Sequence, residues 1–326
     1  MRIEVWADLV CGWAYIGKRR LERALTTWQG EPIEVVWRPF RIDPAAPATA
    51  VPLREALADP QVNAALHQSA PGIPPEENQR RLAETARRDG IGPSWRAAWR
   101  ANSHDAHRLV LLAYQHGGPT LQGAVVERIL RAHFVDGDDI SDRAVLERVA
   151  AEAGFPAGGH LLGTNAGDTQ VRELLLVGKA RGITSSPTFT VGEDRLAGAQ
   201  APETIRSFLA TADPGREVPK EVRRLRYAES LLDQRDPLGA LTLLGPLLSE
   251  HGHDRGVRTI AARAYYASAQ LRRAQQILEP MVIEYPDDSY LRLLLGRTLQ
   301  RLGLADDAAP HLRLAAVMTP EYDLDD

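Results

Sequence analysis

The 326-residue chain reads as an α/β domain that carries a helical insertion, followed by an all-α repeat domain. Three observations predict this. A strand–helix–strand pattern at the start and a strand–strand–helix pattern near residue 200 enclose a long stretch without strand character. A period of 34 residues runs from about residue 221 onward. Between the first strand and the first helix stands Cys11, the only cysteine of the chain.

Composition bounds the possibilities. With 44% hydrophobic and 25% charged residues, the chain is ordinary globular and long enough for two cores. A net charge of -4 and no basic, aromatic-interleaved patch give no case for nucleic acid. No stretch approaches the ~20 apolar residues of a membrane span. The first residues already read as a strand, so no signal peptide is expected. A single cysteine cannot build a disulfide framework and suits a reducing compartment. A cytoplasmic protein without membrane or nucleic-acid partners is the expectation. No metal site is expected either: Asp136, Asp138, Asp139 and Asp142 lack calcium-loop spacing, and His251 and His253 lie in a repeat turn.

The elements follow in order. Ile3–Ala7 alternates as a strand, and Tyr15–Thr26 has helical spacing through Ile16, Leu21 and Leu25. Ile33–Trp37 predicts a second strand. After a Pro/Ala-rich link, helices are predicted over roughly 54–68, 76–89, 95–115, 121–134, 143–152 and 169–180, with Gly117-Gly118 and Gly158-Gly159 as turns. Strands return at Thr188–Val191 and Leu196–Ala199, and a last helix at 202–211. This order is that of a thioredoxin fold with a helical domain inserted at about 45–182, and the domain is set at 1–212. Such an arrangement brings the Cys11 turn beside Ser185-Ser186-Pro187-Thr188. A proline entering a strand donates no ladder hydrogen bond, and a cis peptide would account for it.

In the C-terminal third, Ala228, Ala262 and Gly296 recur at period 34, as do Ala240, Ala274 and Ala308, with Leu244, Leu278 and Leu312 four residues on. Pro286 and Pro320 close two units and Gly252 the other. Small residues let paired helices approach, and stacked pairs bury one core. Residues 220–322 resemble three tetratricopeptide repeats. The array is expected to dock a partner, or else to dimerise the chain or cap the fold.

Six stretches carry a second resemblance: Asp8-Leu9-Val10-Cys11 with Trp13, Tyr15 and Gly17; Trp37-Arg38-Pro39-Phe40; Asn102 to Leu109 with His104 and His107; Ala132-His133-Phe134 with Gly137 to Ile140; Ser186-Pro187-Thr188-Phe189; and Gly198-Ala199-Gln200. In this order they resemble the DsbA-like thioredoxin family, particularly its FrnE-like branch. That family's usual Cys-Pro-Trp-Cys becomes Cys11-Gly12-Trp13-Ala14 here. The resemblance implies a thiol enzyme, and the missing second cysteine sets its disulfide cycle in question. The FrnE likeness also implies polyketide pathways, and with them a carrier protein or partner enzyme docked on the repeats.

A cysteine at a helix start is expected to ionise readily. Three readings of such a lone thiolate follow. It adds reversibly to a conjugated enoyl or polyenoyl substrate, so that the bond rotates and elimination returns the other geometric isomer. It exchanges disulfides as a monothiol transferase, oxidoreductase or isomerase released by an external small thiol, with no other cofactor. Or the thiol is inert and the chain is an adaptor. Cys11, Ser186, Pro187, His107 and His104 are the candidate catalytic residues. Gly12, Trp13, Ala14, Arg38 and Asn102 are the candidate substrate contacts.

Overall fold

The computed structural model describes residues 1–69, 73–216 and 218–322. It comprises two compact units: Met1–Gly178 with Ile183–Arg216, and a second holding the C-terminal helices.

The first unit opens with β1 (Arg2–Ala7), α1 (Gly12–Thr26) and β2 (Glu34–Pro39). The insertion follows as β3 (Val51–Pro52), α2 (Leu53–Ala56), α3 (Pro60–Ser69), α4 (Pro75–Arg88), β4 (Trp99–Arg100) and α5 (His104–Arg131). A π turn (Ala132–Asp136) continues α5, and α6 (Arg143–Glu152), α7 (Pro156–Leu162) and α8 (Asp168–Ala180) complete it. β5 (Thr188–Val191), β6 (Asp194–Ala197) and α9 (Pro202–Thr211) close the unit. The sheet runs β2-β1-β5-β6, with β2 parallel to β1 and the other pairs antiparallel.

β1 is central, which is why Ile3, Val5, Trp6 and Ala7 are all buried rather than alternating. β2 lies at an edge. There the side-chain amide of Gln122 on α5 accepts from Trp37 N at 2.8 Å and donates to Trp37 O at 3.0 Å. One buried amide thus takes the place of a neighbouring strand and fixes the insertion to the sheet.

Several expectations need correction. Residues 95–103 are not helical. Arg96 N donates to the Phe134 carbonyl, Leu53 N to Ala98 O, and the Trp99 indole to Gly137 O at 2.9 Å. Tertiary partners override the local periodicity there. The helix predicted at 54–68 is two, α2 and α3. Gly158-Gly159 is inside α7 rather than a turn: a Cβ on Gly158 would lie 2.5 Å from Phe155, so the glycine permits tight packing. Gly117-Gly118, by contrast, does interrupt the helix as expected: both residues leave helical φ/ψ, Gly118 at φ +67, so α5 is two helical segments joined at a kink. β6 ends two residues before the predicted strand does.

The second unit contains α10 (Lys220–Asp233), α11 (Pro237–Glu250), α12 (Arg255–Ala267), α13 (Leu271–Glu284), α14 (Ser289–Arg301) and α15 (Ala305–Met318). The predicted small positions are buried at every repeat, and a Cβ on Gly296 would meet Leu312 at 2.7 Å. The period extends to the backbone. Arg235, Ala269 and Gly303, each 34 apart, all take positive φ between the helices of a pair. Asp236, Asp254 and Asp288 cap α11, α12 and α14 through their carboxylates.

Candidate active site

β1 ends at Ala7, and the chain turns through Asp8 to Cys11, which is the N-cap of α1. Cys11 N donates to Asp8 O at 3.1 Å and Ala14 N to Cys11 O at 2.9 Å. The loop before β5 meets this turn. The Ser186–Pro187 peptide is cis, and the Cys11 thiol donates to the Ser186 carbonyl at 3.3 Å. The Ser186 hydroxyl accepts from Asp8 N at 2.9 Å. Gly17 explains how closely the two segments approach, since a Cβ there would lie 2.8 Å from the Pro187 ring.

Cys11 is buried, at 8% exposure. Burial pushes its thiol above its ordinary pKa, and the Asp8 carboxylate pushes the same way. The Ser186 side chain and the backbone N–H groups of Ala14 and Trp13 pull against them and lose. The expectation of a readily ionised thiolate at the helix start is therefore overturned for the free protein: desolvation outweighs the helix terminus.

Beneath the sulfur lies a charge that the sequence reading passed over. Asp8 is 1% exposed, yet its pKa is lowered. Burial opposes ionisation, but His107, Ser103 and the Ile42 N–H outweigh it, the last donating to Oδ2 at 2.7 Å. The His107 ring stands 3.6 Å from Asp8 Oδ1, with Nε2 donating to Phe40 O at 2.9 Å. An acid directly after an apolar strand and before the cysteine turn was the available signal. His133, also buried, has its pKa lowered to about 4 by burial, with Nδ1 lacking a hydrogen-bond partner among the described residues.

The other predicted residues divide. Gly12 lies under Trp95 and Leu82, which would stand 2.9 and 3.2 Å from a Cβ. Trp95 stacks on Phe134 with centroids 4.6 Å apart, forming a roof over the start of α1 from a stretch the sequence predicts as helix. Trp13 is half-buried beside the Arg81 guanidinium, at 5.9 Å. Ala14 is fully buried. His104 turns to Asp168 at 2.7 Å, Arg38 pairs with Glu4 at 2.7 Å, and Asn102 holds the Ala46 carbonyl and the His104 N–H, both at 3.0 Å. These three are committed to structural partners. Among the described residues, no group of three or more potential ligands could hold a metal ion.

The fold agrees with comparison to known proteins. Residues 2–210 match the sequence model of the DSBA-like thioredoxin domain. The chain belongs to the DSBA-like thioredoxin family. The uncharacterized protein YwbO of Bacillus subtilis (strain 168) is 21% identical over 213 residues, covering 64% of this chain and 96% of YwbO. The probable DsbA oxidoreductase SCO1869 of Streptomyces coelicolor superposes with TM-score 0.56 at 25% identity, over 68% of this chain and 94% of that one. A 2-hydroxychromene-2-carboxylate isomerase superposes at 16% identity and TM-score 0.49, over 64% and 95%. Residues 231–298 match a tetratricopeptide repeat model, as the period implied. On the repeat unit of this DSBA-like protein, a groove of about 240 Å³ is lined by Arg263, Tyr266, Tyr290, Leu294 and Arg297 among others. No helix among the described residues is long and apolar enough to cross a membrane.

Proposed function

We propose that this protein is a one-cysteine enzyme whose Cys11 bonds transiently to its substrate and leaves by reversal of the same step. The carrying observation is that a fully buried alanine fills the place of the family's second cysteine, while the thiol still donates to the Ser186 carbonyl of the cis Ser186–Pro187 peptide. The reaction we favour is cis–trans isomerisation of a conjugated enoyl or polyenoyl thioester. The thiol proton passes to buffer, Sγ bonds to the β-carbon, and the π pair moves onto the thioester oxygen as an enolate. The former double bond rotates. The pair returns, the C–S bond breaks, and the other isomer departs with no net oxidation. The Ser186–Pro187 backbone would bind the acyl chain, with Trp13 as a wall and His107 acting through Asp8 as a positioning residue. The repeat groove, lined by Arg297 and by Arg263, which pairs with Glu229 at 3.2 Å, would take the carrier protein or partner enzyme.

The test is conversion of an E-polyenoyl thioester to its Z isomer without redox cofactor. Cys11→Ser should lose at least about a hundredfold in rate, and full turnover by that variant discards covalent catalysis. Two other readings each have an observation behind them. Likeness to a probable DsbA oxidoreductase favours monothiol exchange, which predicts disulfide reduction only when a small thiol is added. The proton-retaining thiol favours an adaptor, which predicts negligible turnover in both assays and partner binding through the repeats.

A further inference from the structure

The loop that follows β2 contains Arg41, two of whose buried donors, Nε and Nη2, have no hydrogen-bond partner among the described residues. Buried donors are rarely left so. Carboxylates of this loop and of the strand and turn beside it have partners of their own: Asp43 pairs with Arg100 at 2.7 Å, Glu4 with Arg38, and Asp8 with Ile42 N and His107.

One shared group ties the backbone that carries Arg41 to the cysteine turn. Asp8 Oδ2 takes the N–H of Ile42, and Asp8 Oδ1 takes that of Val10 at 3.4 Å. The 41–42 backbone and the 10–11 backbone therefore flank a single carboxylate. On its other side Phe40 O receives His107. Ile42, next in the chain, is 47% exposed, so this loop borders open surface.

We propose that Arg41 recognises a carboxylate on the molecule that reacts at Cys11. A guanidinium offers two parallel donors to a planar anion, and such charge-assisted pairs are the strong ones. The ligand class is thus a small acid, or an acyl chain or disulfide bearing a carboxylate close to its reactive atom. This rests on the reading of Cys11 as the reacting thiol.

Two aromatic disulfides separate charge from reactivity: 5,5′-dithiobis(2-nitrobenzoate), a dianion, and neutral 2,2′-dithiodipyridine. In both, the Cys11 thiolate attacks one sulfur and the S–S bond breaks. Cys11 is oxidised to a mixed disulfide, one aryl sulfur leaves reduced as thiolate, and the cysteine proton goes to buffer. With one cysteine in the chain, the released chromophore reports this site alone. Arg41→Gln is expected to slow the dianion about tenfold while leaving the neutral probe within about twofold, with Arg41→Lys in between. An equal change for both probes, or none for either, overturns the assignment. If the unmodified protein reacts with neither, the thiol reading fails instead, and binding of 2-nitrobenzoate decides about Arg41. Thermal stabilisation by that anion, lost in Arg41→Gln, supports it; no stabilisation of the unmodified protein overturns it.

Discussion

At residue 11, N–H groups at the start of α1 favour the thiolate, while burial and the Asp8 carboxylate favour the thiol and prevail. Because the pKa is raised, the thiolate fraction at neutral pH is below that of a free cysteine and grows as pH climbs past the ordinary thiol range. Alkylation by iodoacetamide should follow that curve. Asp8→Asn removes the negative neighbour while keeping an acceptor for Ile42 N. It should shift the curve to lower pH and raise the neutral rate several-fold; an unshifted curve would show that Asp8 does not act on the sulfur. His133 gives a second pH effect, on stability. Its pKa falls from 6.5 to about 4 on folding, so the unfolded chain binds the proton first. Stability should therefore fall as pH drops from 6.5 toward 4, by up to roughly 3 kcal/mol. Urea unfolding across that range should show the slope, and His133→Gln should flatten it.

Among elements, α1 and the loop before β5 depend on one missing methyl. Gly17→Ala places a Cβ 2.8 Å from the Pro187 ring, which must shift. A loss of about 1–3 kcal/mol is expected, together with a changed Cys11 alkylation rate, because Ser186 moves with its neighbour. Thermal unfolding and alkylation measured on the same variant check both. How much of this was legible varied with the range of the forces involved. The repeat helices could be read because each small position recurs at period 34 and packs only against near neighbours in the chain. The meeting of Cys11 with Ser186 and Pro187 was readable from strand order. Trp95 was not. Its helical spacing is genuine, but its place is set by Phe134, far along the chain. The state of the thiol was missed for a related reason: a helix start is visible locally, whereas desolvation is imposed by distant segments. Likewise Arg38, Asn102 and His104 are polar residues of the right kind whose partners only folding reveals.

For the whole molecule, the two units carry separate cores. One cluster joins β1, α1, α5 and α9 side chains such as Val5, Ile16, Leu109 and Ile205; another joins Leu278, Leu291 and Leu295 in the repeats. Calorimetry should resolve two transitions. Leu278→Ala should lower the one from the repeats, at a cost of about 2–5 kcal/mol, and leave the other in place. A single transition shifted by that substitution would show that the cores unfold together. The proposed chemistry and the proposed docking on the repeats are thus open to separate mutation, and thiol reactivity and binding can be measured independently.

The Gln122 amide has an effect beyond anchoring the insertion. By filling both hydrogen-bonding positions of Trp37, it denies the middle of that rim to any strand from another molecule. Exchange for a leucine would reopen the rim, and crowded solutions of such a variant should polymerise where the parent stays dispersed.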